Sequence, residues 1–314
     1  MATSSENNAV VFVVAAGSSH DAGDVQQVAT TSLPSMYSVV TATNIGSKTY
    51  LFAYDPSLTT ADIFECTGSA PYLAEVNTKL TIGKAKDKLN VFTLGNQVYL
   101  SVYTANSGVF QIYSVAADLS LSKPYEFYRN HELALSQNFS TLKFFTQFGQ
   151  VVALGYRDDG YVTLYTVGVV AISYNGVPPL LMTPVWSHMW APGWTRFAFF
   201  QLGGETFFLK TNLKKLNVNI DHVLDSLSAG TAEVGTLLQN QLPDALKLTN
   251  VEPVLLGNAD PWFVTYNSTT GASNLNRIHS DCLGWTVGAS FNAPTGKTTL
   301  TPVTVGDKVF FVYI

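Results

Sequence analysis

The chain has 314 residues, with 17 Lys and Arg against 22 Asp and Glu, a formal net charge of −5, and charged side chains making up only 12% of it. Globular chains average about a quarter charged, so this composition excludes a polyanion-binding protein, an acidic disordered tail and the basic footprint of a nucleic-acid binder. A 46% hydrophobic fraction with 19 Phe, 15 Tyr and 5 Trp supplies a large core and excludes disorder as the main state.

Met1 to Asn8 is small and polar without a basic segment, and the apolar run Ala9 to Ala16 is too short to cross a bilayer. The expectation is a soluble, cytoplasmic protein with no membrane partner. In such a protein the sequons at Asn138 and Asn267 carry no weight. Cys66 and Cys282 are too few for a disulfide framework and too far apart for a zinc site, so free buried thiols and no metal are expected.

Along the chain, Val10-Val-Phe-Val-Val14 reads as a strand with no repeat of its own. A unit then recurs six times: an apolar strand ends at a glycine, a second strand follows, and a third comes after a polar turn. The second strands are Tyr50–Tyr54, Tyr99–Tyr103, Val152–Tyr156, Phe207–Thr211, Trp262–Tyr266 and Val309–Tyr313, and five of the six close on tyrosine. Seven to nine residues before each closing position stands Gly46, Gly95, Gly149, Gly203, Gly257 or Gly306. Glycine supplies the positive φ that a tight hairpin demands. Third strands follow at Phe110–Tyr113, Tyr161–Tyr165, Asn217–Ile220 and Asn274–Ile278, alternating as half-buried strands do.

The closing positions are 49, 53, 55, 55 and 47 residues apart, a period that fits one four-stranded propeller blade. The sixth repeat has no room for a third strand before Ile314. Pairing Val10–Val14 with the last hairpin would close the ring and remove two sheet edges. The fold expected is all-β: one six-bladed β-propeller over residues 1–314, with a pair of β-sandwiches as the competing arrangement. One segment breaks the β pattern. From Asp221 to Leu246 the leucines Leu224, Leu227, Leu237, Leu238, Leu242 and Leu246 sit among polar residues, which predicts one or two short helices inserted in blade four, over about 221–250.

No G-x-S-x-G, H-E-x-x-H, P-loop or G-x-G-x-x-G after a strand is present, and the five histidines are scattered. The densest aromatic patch is Trp186-Ser-His188-Met-Trp190-Ala-Pro-Gly-Trp194-Thr-Arg196, leading into the first strand of blade four; Trp285 is expected in a similar place before blade six. Loops into first strands and ends of second strands share one face of a propeller. The patch and Tyr54, Tyr103, Tyr156 and Tyr266 are therefore expected around one mouth, an aromatic pocket with a few hydrogen-bond donors. Repeated tyrosines at one phase also serve as packing between blades, and that alternative stays open.

Two function classes fit. The phrase Pro192-Gly-Trp194-Thr-Arg196, echoed by Leu283-Gly-Trp285-Thr286, is similar to the G-W-T phrases of fungal fucose lectins and tectonins, which implies sugar binding between blades. The cation, carboxylate and Trp that such sites need do not recur in every repeat here. The other class is an enzyme with one central pocket and chemistry that depends on shape more than on acid and base. In length, blade plan and aromatic face the chain resembles the propeller-type hetero-Diels–Alderases of fungal tropolone sesquiterpenoid pathways, which join a tropolone quinone methide to a humulene-type olefin. That resemblance implies a cofactor-independent enzyme acting on a polyketide or terpenoid small molecule, and no family residue is carried over from it. The residues expected in the site are Arg196, His188 and Tyr156 as catalytic donors, with Trp186, Trp190, Trp194, Trp285, Tyr54, Tyr103 and Tyr266 binding the substrate.

Overall fold

The computed structural model describes residues 7–15, 24–122, 125–127, 135, 138–169, 180–212, 215, 217–224, 234–241, 248–256 and 260–314. Among these, six antiparallel sheets of four strands follow one another along the chain. Blade one comprises β3 (Val39–Ile45), β4 (Lys48–Tyr54), β5 (Thr60–Cys66) and β6 (Leu73–Thr81). Blade two comprises β7 (Lys88–Leu94), β8 (Gln97–Thr104), β9 (Val109–Val115) and β10 (Tyr125–Phe127). Blade three holds β11 (Phe139–Gln147), β12 (Gln150–Arg157), β13 (Tyr161–Val169) and β14 (Leu180–Met189). Blade four holds β15 (Trp194–Leu202), β16 (Glu205–Asn212), β17 (Asn217–Val223) and β18 (Val234–Gln241). Blade five holds β19 (Asn250–Val254), β20 (Trp262–Tyr266), β21 (Ala272–Ile278) and β22 (Trp285–Asn292).

Blade six joins the two ends of the chain. Its inner strands are β23 (Leu300–Val305) and β24 (Lys308–Tyr313), and its outer ones are β1 (Asn8–Val14) and β2 (Val25–Ser32). Strand β1 pairs with β24 from Val10 opposite Tyr313 to Val14 opposite Val309, which is the closure expected from the spare N-terminal strand. The first strands β3, β7, β11, β15, β19 and β23 touch one another in turn, and β23 returns to β3. A six-bladed propeller with these strands around its axis is the result.

Two-residue turns join first and second strands, as between Ile45 and Lys48 and between Val305 and Lys308. Gly46 and Gly306 take φ of +61° and +62° there, a region closed to most side chains. Gly95 and Gly203 hold the same place, Gly149 follows Phe148 as the second residue of its turn, and Gly257 lies outside the described residues.

Hydrophobic burial is organised between blades. Phe52, Ile63, Leu100 and Val102 bind blade one to blade two, and Val11, Phe64, Phe310 and Val312 bind blade six to blade one. Four more such layers complete the circuit. Each sheet is thus apolar on both faces, and side chains alternate into the layer before and the layer behind.

The helices expected between Asp221 and Leu246 are not formed in the described part. Asp221 to Val223 complete β17, and Val234–Gln241 is β18, the outer strand of blade four. The leucine spacing suits a helix taken alone, but β17 presents an open row of N–H and C=O groups. Strand β18 satisfies that row, with Leu238 turned toward the layer between blades four and five. The rest of the segment, 225–233 and 242–247, lies outside the described residues.

Turns between second and third strands are longer, three to five residues, and the one in blade three is closely packed. In blade three Gly160 has φ +102°, and an added Cβ would stand 2.2 Å from the carbonyl oxygen of Trp190. That carbonyl belongs to the loop whose Trp190 N–H donates to Gly160 O at 2.9 Å. Gly160→Ala is expected to cost about 1–3 kcal/mol from overpacking alone, read as a lower urea midpoint with unchanged slope.

Cys66 and Cys282 are both buried and free. Burial pushes the Cys66 thiol up to about 12 and the Cys282 thiol up to about 11, so almost no thiolate exists near neutrality. A thiol-disulfide reagent at pH 8 is expected to label neither cysteine in the native protein and both in denaturant. Rapid native labelling would contradict this placement.

Candidate functional site

Four of the five closing tyrosines stitch their blade to the next, and the fifth, Tyr313, bonds back to Ser273 of blade five. Tyr156 is buried; its hydroxyl accepts the Trp194 N–H at 3.1 Å and donates to Ala191 O at 3.2 Å, tying β12 to the entry of β15. Tyr103 accepts the Phe139 N–H at 3.1 Å. Tyr54 donates to Gly83 O at 2.8 Å, and Tyr266 donates to Pro294 O at 2.6 Å while accepting the Lys297 N–H at 3.2 Å. Burial, ahead of every other cause, raises the titration of all four phenols. Their hydroxyls are committed to backbone between blades and do not line a central mouth. In blade four Thr211 takes the closing position and donates across the hairpin to Thr195 O at 3.1 Å. Tyr156→Phe is expected to lower stability by about 1–3 kcal/mol through the two backbone groups it leaves unpaired. Ligand binding should be unchanged, which calorimetry alongside a urea titration would check.

The tryptophans also divide by position. Trp186 and His188 lie on β14, the outermost strand of blade three, with rings stacked at 5.8 Å and His188 exposed. Trp190 follows in the loop, 6.1 Å from Trp186. Trp285 opens β22, the outermost strand of blade five, and meets Phe263 edge-on at 5.8 Å. It does not lead into blade six, and the echoed G-W-T phrase therefore marks a different kind of strand from that at Trp194. Trp194 begins β15 and is buried. With Trp190 it encloses the Lys210 ammonium, which stands 3.4 Å from the Trp190 ring and 4.7 Å from the Trp194 ring. Lys210 is ion-paired to Asp221, and both are buried.

A cavity of about 740 Å³ occupies the centre of the ring, walled by all six first strands. None of Trp186, Trp190, Trp194, Trp285, His188 or the four tyrosines is among its lining residues; Arg196 is. The charged lining is Asp87 and Lys88 of blade two, Lys143 of blade three, Arg196 of blade four and Glu252 of blade five. Phe144, Phe145 and Phe199 form an apolar wall on blades three and four, with Phe145 and Phe199 stacked at 4.5 Å, while Phe197 is buried behind them in the layer between those blades.

Ring geometry explains the convergence. Thr41, Asn90, Lys143, Glu252 and Pro302 each pair with the residue two before the closing tyrosine of the neighbouring strand. They therefore form one layer around the axis. Blade four departs from it: Thr195 pairs with Thr211 and Ala198 with Leu209, so Arg196 and Phe197 together oppose Lys210 in a bulge. Arg196 takes φ +54° there, a strained conformation for a long side chain and one that recurs where a residue is held for function.

Charge in this layer is partly desolvated. Lys143 Nζ is 3.9 Å from Glu252 Oε2, beyond hydrogen-bond distance. Burial raises the Glu252 carboxyl above the usual range, against the opposing pull of Lys143, Arg196 and Asn250. Burial lowers Lys88, and the neighbouring charges of Lys143 and Arg196 add to the effect while Asp87 opposes it. Arg196 is lowered by burial, with Glu252 opposing. Asp87 is partly engaged already, accepting the Ala105 N–H at 2.6 Å. Arg196 Nε, Asn90 Nδ2, Asn250 Oδ1 and Thr299 Oγ1 are buried on these walls without a hydrogen-bond partner among the described residues. Such a cavity can hold an oxygen that carries or develops negative charge beside a flat apolar body.

No family model and no curated protein matches the chain in sequence. Solved structures do match in shape. A candidate 6-phosphogluconolactonase from Bacteroides fragilis superposes with a TM-score of 0.56 at 12% identity, over 98% of this chain and 88% of that one. The exo-β-1,3-galactanase of Phanerochaete chrysosporium, solved with β-1,3-galactotriose, gives 0.53 at 10% identity, over 96% of this chain and 69% of its own. SapL1 lectin in complex with α-methyl fucoside gives 0.53 at 10% identity, over 87% and 86%. At these identities the likeness shows the propeller fold alone.

Proposed function

We propose that this protein is a cofactor-independent cyclase that binds one oxygenated polyketide or terpenoid molecule in the central cavity and steers a cycloaddition of the hetero-Diels–Alder type. The observation that carries the reading is the convergence of Lys88, Lys143 and Arg196 with the Phe144, Phe145 and Phe199 wall on one cavity. In such a cycloaddition the heterodiene oxygen gains electron density as the olefin adds to it. Fixed cations beside that oxygen are worth more in a partly desolvated site than in water. The phenylalanine wall would hold the olefin face-on, and pre-orientation of two partners can remove several kcal/mol of barrier, ~7–11 in the best intramolecular cases.

The test is product analysis. An ortho-quinone methide generated in situ is incubated with a humulene-type olefin, with and without protein. The expected result is adduct formed faster than background and in one enantiomer, with both effects lost in Arg196→Gln. Racemic adduct at the background rate would refute the reading.

A second reading, sugar binding without catalysis, is favoured by the aromatic surface at Trp186, His188 and Trp190, where rings lie 5.8 to 6.1 Å apart at the edge between blades three and four. Aromatic faces of this kind accept the C–H face of a sugar, and propellers solved with α-methyl fucoside and β-1,3-galactotriose share the fold. Quenching of tryptophan fluorescence by methyl fucoside or galactose, abolished in Trp186→Ala, would support it.

A further inference from the structure

We infer that the ligand of the central cavity is an organic anion, with its charged oxygens lying between Lys88, Lys143 and Arg196 and its hydrocarbon body on the phenylalanine wall. This rests on the reading of the cavity as the small-molecule site and adds the charge of what it takes.

Three cations from three consecutive blades face this space, in a protein whose overall charge is −5. The carboxylates beside them satisfy them only in part. Asp87 is drawn to the Ala105 N–H, and Glu252 lies 3.9 Å from Lys143. Arg196 Nε is buried with no partner among the described residues. Like charges held together and partly out of water work against folding. An anion seated among them relieves the repulsion and supplies acceptors for a guanidinium and two ammonium groups at once. The bulge that turns Arg196 onto this wall is confined to the one blade where the regular layer would hold Ala198. The donors stand beside an aromatic surface rather than in an open polar funnel, so the geometry points to a carboxylate or ionised phenol on a flat organic body rather than to bare inorganic phosphate.

Titration calorimetry of the full chain with matched probes tests this. Benzoate is compared with methyl benzoate, 4-nitrophenolate with 4-nitroanisole, and inorganic phosphate serves as the third anion. The wild type, Arg196→Gln, Lys143→Gln and the surface control Lys48→Gln are measured at two salt concentrations. The expected result is one site per chain for benzoate or 4-nitrophenolate, with the neutral analogue at least tenfold weaker. Arg196→Gln and Lys143→Gln should each cost tenfold or more, Lys48→Gln should cost nothing, and added salt should weaken binding. Whether the carboxylate or the phenolate binds tighter identifies the head group. Lys143 is 42% exposed, so its replacement keeps the test valid if Arg196→Gln proves unstable in a thermal melt. Equal binding of the neutral analogues with no effect of either variant would overturn the anion and leave the cavity as a small-molecule site. Phosphate binding more tightly than both organic anions would overturn the flat body. Absence of binding by all five probes would overturn this inference, and a stereoselective cycloaddition seen alongside it would show that the cyclase reading survives without it.

Discussion

Lys210→Met is expected to lower folding stability by about 3–5 kcal/mol, the range for breaking a buried ion pair by removing one partner. Lys210 and Asp221 have side chains only 3% and 1% exposed. Asp221 Oδ1 also accepts the Thr236 hydroxyl at 3.0 Å. The ammonium sits over Trp190 and Trp194, with Phe208 5.8 Å away. Removing the lysine leaves a carboxylate in an apolar layer and empties the aromatic enclosure. With about 2.1 cal/mol/K of unfolding entropy per residue, the melting temperature should fall by roughly 5–8 °C. The double variant Lys210→Met, Asp221→Leu should recover most of the loss, because no charge is then stranded. If Lys210→Met and Asp221→Leu, each made alone, melt within 1 °C of the wild type, the pair is not buried as described. The result would also settle the role of the densest aromatic stretch in the sequence, much of which is packing around one lysine.

Glu252→Gln should tighten the binding of an anionic ligand such as benzoate by tenfold or more. A unit charge at about 4 Å is worth up to ~4 kcal/mol at an effective dielectric of 20, less where water enters. The pH dependence follows from the shifts in the layer. Glu252 is raised by burial, so it takes up its proton at a higher pH than an ordinary carboxylate, and the repulsion it exerts on the ligand disappears as pH falls through that point. Lys88 is lowered by burial and by Lys143, so it loses its charge below the usual lysine range. Both changes weaken anion binding as pH rises, while a simple carboxylate ligand stays ionised above about pH 5. Affinity in the wild type should therefore be weaker at alkaline than at acid pH. Glu252→Gln should abolish the acid part of that difference and keep the alkaline part. An affinity independent of pH, or weakened by Glu252→Gln, would contradict the arrangement of charge around the cavity.

Much of the propeller was legible in the sequence because its repeat has physical causes that leave marks. Gly46, Gly95, Gly149, Gly203 and Gly306 are needed for two-residue turns. Tyr54, Tyr103, Tyr156 and Tyr266 are needed because a long side chain with a polar tip can cross an apolar layer and bond the next blade's backbone. The N-terminal strand was legible as the piece lacking a partner. Outer strands carry no such mark, which is why Trp285 was expected at the entry to blade six and why Val234–Gln241 read as helix. Its leucines satisfy a helical period, and only the open edge of β17 decides for a strand.

The site was less legible. Arg196 stood out beside Trp194, but Lys88, Lys143 and Glu252 are each the one charged residue of its strand, more than 50 positions apart. The signal is weak: Lys143 and Glu252 lie 13 or 14 residues before a closing tyrosine, an offset that Asn90 shares and Lys88, 15 residues before Tyr103, does not. Only the closed ring turns that shared offset into a shared wall. His188 and Trp186 look central in the sequence because they precede a first strand, yet strand β14 carries them to the outer edge of blade three.

The proposed site puts the ligand at the axis, among Lys88, Lys143, Arg196 and the phenylalanine wall. A crystal structure of the protein soaked with 4-bromobenzoate, with bromine located by its anomalous signal, tests it most directly. The predicted result is one bromine per chain beside Phe145 and Phe199, with the carboxylate within hydrogen-bond distance of Arg196 and Lys143. Bromine only on the Trp186, His188 and Trp190 surface or between blades, with none in the central cavity, would contradict it.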